Sequence, residues 1–380
     1  MNKKLMAVAV AGALAAPGLA LAQATVYGSF NVEYGFVSQA DGLNGDGTSG
    51  SRDNVDAFNS GASYVGVKGE EKLGGGMSAW FQCETRARLG VDTNPAQGNS
   101  GICDRNTALG LKGGFGNLFF GRWDSPLNLA QDAGRGGLLQ TTGWTGIERL
   151  LLADDGQVGF DFARRNANSV NYNTPNFGGL TGSFQFTTTN EALATPNATT
   201  GSVPGLKGRA ISASAYYSSG PLEAALAYSK HDDNQTSSTG GANGSDEKAW
   251  LLGASYVFGP VKVGVLYTDL SADDGAGSDI ERKNWSLGVA WKITPPGTVR
   301  AGYTQAGDFK GSAGAPDTGA AQWMVGYSHA MSKRTTASIY YSALKNDDMG
   351  TWNFAGVTAA GDVFPGSDAN VVSLQLQHKF

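Results

Sequence analysis

From Gln23 onward, apolar residues recur at every second position in short blocks, and Gly, Pro, Asn and Asp separate one block from the next. A period of two belongs to an extended chain whose side chains point alternately to opposite faces of a sheet. The last block is the clearest: Val372, Leu374, Leu376, His378 and Phe380 share one face, and Ser373, Gln375, Gln377 and Lys379 share the other. Val261, Val263, Val265 and Tyr267 alternate in the same way with Lys262, Gly264, Leu266 and Thr268. The pattern predicts an all-β chain whose strands each have one greasy and one wet face.

The connections between blocks alternate between very short and long. The short ones include Leu73-Gly74-Gly75-Gly76, Gly113-Gly114-Phe115-Gly116, Gly220-Pro221, Gly259-Pro260 and Ser332-Lys333. The long ones, at about residues 38–60, 91–102, 191–208, 234–247, 273–281, 310–320 and 348–367, are rich in Gly, Ser, Asp and Asn. A longer one runs from Ser125 to about Asp161. Counting blocks between them gives sixteen candidate strands, an even number, as a closed antiparallel barrel with both termini on one side requires.

Periodicity alone fits either a soluble sandwich with its apolar faces inward or a membrane barrel with them outward. Three features favour the barrel. One is the strand count. The second is aromatic residues near strand ends, such as Tyr217, Tyr256, Phe258, Trp285, Trp291, Trp323 and Tyr341, where an interfacial girdle lies. The third is the start of the chain, where Lys3 and Lys4 precede an apolar run from Leu5 to Leu21 ending in Ala20-Leu21-Ala22. Residues 1–22 therefore read as a cleaved export signal, and 23–380 as one domain.

Of the 380 residues, 41% are hydrophobic and 16% charged, and no later segment has the run of about 18 apolar residues that a spanning helix needs. A bilayer cannot hydrogen-bond a free sheet edge, so spanning strands must close. The expectation is a 16-stranded antiparallel transmembrane β-barrel with short periplasmic turns, long extracellular loops and small or polar inner faces around water. The net charge of -5 lies largely in the loops.

Alternation also names lumen charges. With Phe81, Cys83, Thr85 and Ala87 outward, Trp80, Gln82, Glu84, Arg86 and Arg88 face the water. Lys68 lies opposite in facing to Val65 and Val67, Arg300 to Val299 and Ala301, and Arg165 to Val170 and Tyr172.

A series of motifs resembles the Gram-negative general porins of the proteobacterial outer membrane. They are Val26-Tyr27-Gly28-Ser29-Phe30, Val65-Gly66-Val67-Lys68-Gly69-Glu70-Glu71-Lys72-Leu73-Gly74-Gly75-Gly76-Met77, Gly113-Gly114-Phe115-Gly116-Asn117 leading to Gly121-Arg122, Asn168-Ser169-Val170-Asn171-Tyr172 and the final Gln377-His378-Lys379-Phe380. Each is weak alone, but in this order they cover the mature chain. The resemblance implies a homotrimer, a third extracellular loop (125–161) folded into the lumen as a constriction, and a basic wall of Lys68, Arg122 and Arg165. It also implies that Phe380 is the residue read by the barrel-assembly machinery. Tyr64 stands where family members often carry Arg, leaving the wall one charge weaker.

Cations facing carboxylates across a narrow lumen set up a transverse field that orients dipolar solutes and sorts ions by sign. Asp124, Asp132, Glu148, Asp154 and Asp155 are the acids available on the loop side, which also carries Arg135 and Arg149. The expected function is passive diffusion of small hydrophilic solutes and ions across the cell outer membrane, with a slight lean toward anions. The alternative is a substrate-specific channel for organic acids or sugars.

Cys83 and Cys103 are a candidate disulfide in an oxidising compartment. Simple hairpin register opposes it, since an offset of five residues spans about 16 Å, so a bond requires the loop to fold back. Asp232-Asp233, Asp273-Asp274 and Asp347-Asp348 fall on the outer rim, either as solvated charges or as carboxylates bridged by divalent cations to lipopolysaccharide. No cofactor, resident metal or nucleic-acid partner is expected. Catalysis finds no support: His329 is near a short turn, His378 is on the lipid face, His231 beside Asp232 falls in a loop, and no serine sits in a nucleophile-elbow context.

Overall fold

The computed structural model describes residues 24–39, 42–43, 49–50, 54–87, 89, 101–138, 144, 146–152, 160, 162–188, 208–234, 245–273, 279–312, 314–354 and 365–380. The export signal, Arg88, Asp154, Asp155 and Asp274 lie outside these residues.

Sixteen strands form one closed antiparallel sheet. They are β1 (Thr25–Gln39), β2 (Val55–Asn59 continued by Tyr64–Gly74), β3 (Met77–Arg86), β4 (Thr107–Gly113), β5 (Gly116–Asp124), β6 (Arg165–Asn173), β7 (Leu180–Thr187) and β8 (Arg209–Ser219). Then come β9 (Leu222–Asn234), β10 (Ser245–Phe258), β11 (Val261–Asp273), β12 (Asp279–Lys292), β13 (Gly297–Ala306), β14 (Ala320–Ala330), β15 (Thr335–Asn346) and β16 (Ala369–Lys379). The Val55–Asn59 segment extends β2 into the expected first loop, where its polar residues hide the alternation. Between its two segments the ladder is carried by a side chain: Asn31 N donates to Ser63 Oγ at 2.8 Å, and Ser63 Oγ donates to Asn31 O at 2.9 Å.

Each strand pairs with its neighbour in sequence, and β16 returns to β1 with Tyr34 opposite Leu374 and Phe30 opposite His378. The last residue closes the seam. Gly28 and Phe380 exchange two main-chain hydrogen bonds of 3.1 Å, and the Phe380 ring packs 5.2 Å from that of Phe30. Closure leaves the barrel sheet no unpaired edge among the described residues, which is what lets strands cross hydrocarbon. No helix among the described residues is long and apolar enough to cross a membrane.

The outer face carries exposed Phe36, Phe81, Leu109, Phe120, Leu252, Val265, Leu287, Val325 and Leu374. Outward aromatics pair across and along strands, as in Tyr228–Trp250 (4.6 Å), Trp323–Tyr341 (5.0 Å) and Tyr256–Phe258 (4.4 Å). At the tight turns Gly75 and Gly76 take φ of 60° and 78°, a left-handed pair that suits the twist of a two-residue hairpin and favours glycine.

The inner face differs from the expected small and polar lining. Leu251, Leu266, Leu270, Ile280, Met324 and Val371 point inward and are buried. They form a core with Leu127, Ala130, Ala133, Leu138, Trp144, Ile147, Leu150, Leu151, Leu152, Phe160 and Phe162 of the connection after β5. Apolar residues on that connection give the wall something to pack against, so one side of the lumen is filled by protein.

Candidate constriction site

The connection enters the lumen directly from β5. Ser125 caps the short helix α1 (Pro126–Ala130) by accepting from the Asn128 amide at 3.1 Å, and Pro126 supplies a helical φ at the first position. A 3-10 turn at Gln131–Ala133 follows, and α2 (Glu148–Leu152) lies against β11, β12 and β13. Inward polar side chains of the wall satisfy the loop's main chain: Ser212 Oγ accepts from the Leu127 amide (3.1 Å), Thr268 Oγ1 (2.8 Å) and Asn284 Nδ2 (3.1 Å) donate to Leu151 O, and Gln322 Nε2 donates to Trp144 O (3.1 Å). Buried main-chain groups left unpaired would oppose this docking, and these contacts remove that cost.

Between Gly134 and Leu138 the loop lies flat on a row of wall glycines. Gly264 is opposite Gly288, and Gly288 is opposite Gly302, across β11, β12 and β13. A Cβ on Gly264 would sit 2.3 Å from Gly136 N, one on Gly288 2.2 Å from Arg135 O, and one on Gly302 2.7 Å from a Leu138 methyl. Arg300 faces inward as the alternation predicts, and its guanidinium donates to Gly137 O. It is therefore a loop anchor. From the sequence these glycines are only small inner residues, because their role depends on a loop that periodicity does not place.

The basic wall stands on β2 to β6. Lys68 Nζ lies 4.6 Å over the Tyr27 ring. Arg86 ends β3 on the inner side, its amide held by Asp104 Oδ1 at 2.8 Å. Arg105, which sequence reading missed, lies 5.0 Å over the Tyr64 ring and 3.7 Å from Glu84, whose other oxygen accepts from Tyr27 Oη at 2.9 Å. Arg105 thus brings a guanidinium to the place left by Tyr64. Burial and the nearby Arg165 lower its pKa, opposed by Glu84 and Asp124.

Arg165 meets Asp124 at 3.1 Å, and Asn106 links the two by accepting from Arg165 Nε and donating to Asp124, both at 2.9 Å. Asn168, left-handed at φ 48°, offsets the alternation counted from Val170 and Tyr172, yet Arg165 still sits at the loop root. Asp124 consequently belongs to the basic wall and does not oppose it from across the lumen. Arg122 requires a larger correction. It alternates with Gly121, opposite buried Ala108, and with Trp123, whose ring packs 5.0 Å from Phe119 and 5.9 Å from Trp80 on the inner side. Arg122 therefore shares the outer face with Phe120. Inward aromatics on β5 make hydrophobicity a false guide to facing there.

The described loop acids close on the loop's own cation. Arg135 is buried, 3.2 Å from Asp132 and 3.5 Å from Glu148. Desolvation by the surrounding wall raises the Asp132 carboxyl above its usual range, against the pull of Arg135, while the side chain stays 55% exposed to the lumen. Cys83 and Cys103 are joined by a disulfide with Cα atoms 4.9 Å apart, the chain folding back through a left-handed Cys103. His231 is in β9, not a loop, buried 3.3 Å from Glu247 and stacked 4.6 Å from Phe162. Among the described residues no group of three or more His, Cys, Asp or Glu is arranged to hold a metal ion.

The closed sixteen-stranded antiparallel sheet agrees with the known proteins this chain resembles. Residues 7–349 match the family model described as Gram-negative porin. The chain belongs to the Gram-negative porin family. It is 31% identical over 387 residues, spanning all of both chains, to outer membrane porin protein 32 of Delftia acidovorans. Its fold is similar to that of an anion-selective porin from Comamonas acidovorans, with TM-score 0.74 and 28% identity over 94% of this chain and all of that one. A trimer form of OmpT from Vibrio cholerae shares the fold at TM-score 0.64 and 15% identity, covering 94% of this chain and 99% of that one. This porin resides in the outer membrane and forms a passive channel. Its strands make the wall, and the described residues of the connection from Ser125 pack against the inner face of that wall.

Proposed function

We propose that this porin passes small hydrophilic solutes with a preference for anions, and that it does so as a homotrimer. The observation that carries the preference is the disposition of charge. Lys68, Arg86, Arg105 and Arg165 stand on one wall, where Glu84 and Asp124 are the paired acids, while Asp132 and Glu148 of the loop close on Arg135. A carboxylate row facing the wall would divide the lumen into two ion paths. Compensated loop acids instead leave the wall's positive potential to act on the water beside it. The anion-selective Comamonas porin and the trimeric OmpT support the two parts of the reading.

Arg88, Asp154 and Asp155 are further candidates for the same lumen. Lipopolysaccharide, through rim carboxylates and divalent cations, and the barrel-assembly machinery, through Phe380, are the partners this placement supports. Swelling of proteoliposomes tests the solute class. Small neutral sugars should enter, and monoanionic acids of similar size should enter faster than the matching amines. Equal rates for anion and cation would contradict the preference, and saturable entry of one solute would favour a specific channel.

A further inference from the structure

The pairing of β3 with β4 runs from Ser78 opposite Lys112 to Gln82 opposite Ala108. Continued unbroken, it would set Glu84 opposite Asn106, Thr85 opposite Arg105, Arg86 opposite Asp104 and Ala87 opposite Cys103. Residues directly opposite one another share a face of the sheet. A regular strand would therefore send Arg105 outward beside Thr85 and Asp104 into the lumen beside Arg86.

The observed chain departs from this. The ladder begins only at Thr107, Cys103 is left-handed at φ 67°, and its Cα lies 4.9 Å from that of Cys83 rather than across from Ala87. The Cys103 amide donates to Thr85 Oγ1 at 2.9 Å, and the Arg105 amide donates to Glu84 O at 3.0 Å. Arg105 consequently points inward, over Tyr64 and against Glu84, while Asp104 is engaged at the Arg86 amide. Only Asp104, Arg105 and Asn106 separate the covalent clamp from the first ladder residue, so the turn has no slack.

We propose that the Cys83–Cys103 disulfide is a positioning device that turns the chain over ahead of Thr107, so that Arg105 rather than Asp104 is seated on the inner wall, where its charge acts on the lumen from beside Tyr64. The inference rests on the reading of this lumen as anion-preferring, and it names the element that sets one of its charges. Without the bond the regular register becomes available, a cation leaves the wall and a carboxylate replaces it.

The test is the zero-current potential of the full channel in a planar bilayer under a potassium chloride gradient. The variant C83A/C103A should lower the chloride-to-potassium permeability ratio at least as far as Arg105→Ala does, about five-fold for a charge near the ion path. Asp104→Asn in the cysteine-free background should restore part of the loss. A cysteine-free channel with the wild-type potential would overturn the proposal. If the wild type shows no chloride preference, the anion reading fails, while a shift toward potassium on removing the cysteines still supports the positioning role. Should the double variant fail to insert, the wild-type channel is reduced in the bilayer with a water-soluble phosphine. The phosphine becomes its oxide, with oxygen from water, as the S–S bond takes up two electrons and two protons to give two thiols. Channels whose thiols then label with maleimide must show the same shift, and an unchanged potential in them overturns the proposal.

Discussion

Arg300 of the barrel wall donates through its guanidinium to the main-chain carbonyl of Gly137 in the lumen loop. A wall cation that binds protein is a different object from one that faces water. The distinction sorts the inward arginines into those that hold the loop and those that stand on the basic wall.

The first prediction follows from that sorting. Arg105→Ala with Arg165→Ala removes two charges from the basic wall and should lower the chloride-to-potassium permeability ratio by roughly 25-fold, at about 1 kcal/mol per nearby charge in water. Arg122→Ala, on the outer face beside Phe120, should leave it unchanged. A shift from Arg122→Ala equal to that from Arg165→Ala would place Arg122 in the lumen.

The glycine row sets how closely the loop approaches β11 to β13. Gly264→Ala introduces a Cβ 2.3 Å from Gly136 N and 2.5 Å from Gly134 O, both main-chain atoms that cannot rotate away. The loop must move toward the basic wall, at a cost of about 1–3 kcal/mol for an overpacked contact. Single-channel conductance should fall, and a wild-type conductance would show that the shelf does not set the bore.

Acidification should strengthen anion preference. The Asp132 carboxyl is held above its usual range, so it takes up a proton at a higher pH than an ordinary aspartate. Its neutralisation leaves Arg135 less compensated and the lumen more positive. The permeability ratio should rise as pH falls from 7 toward 4, and Asp132→Asn should flatten that rise. A ratio that falls over this range would contradict the assignment.

Arg282 is buried among Trp352, Phe309 and Phe160, with its guanidinium 4.6, 5.1 and 5.8 Å from their rings. It thereby clasps the end of the lumen loop to the connections after β13 and β15. A desolvated cation over aromatic faces is worth about 2 kcal/mol or more. Arg282→Ala should lower resistance to thermal unfolding in detergent by at least that amount and increase current fluctuations. Wild-type stability would show that the clasp is dispensable.

Much of this architecture is legible in the chain because a closed membrane sheet enforces a strict period of two. Val372 to Phe380 displays it without interruption and Val261 to Thr268 with Leu266 as its one inner apolar residue, and their observed facings match. Legibility fails where that period is broken or its meaning changes. Asn168 adds a residue to β6, Cys103 turns the chain over before β4, and Phe119 and Trp123 put aromatics on the inner side of β5. Leu251, Leu266 and Ile280 read as inconsistent inner residues until a loop with its own apolar face covers them. The positions of Arg105 and Arg122 follow from these departures.

The central claim is a water-filled lumen whose charge is set by Lys68, Arg86, Arg105 and Arg165. The most direct test is the zero-current potential of the wild-type channel in a planar bilayer under a ten-fold potassium chloride gradient. The account predicts stepwise conductance and a potential displaced toward the chloride equilibrium value. An absence of conductance, or displacement toward the potassium value, would contradict it.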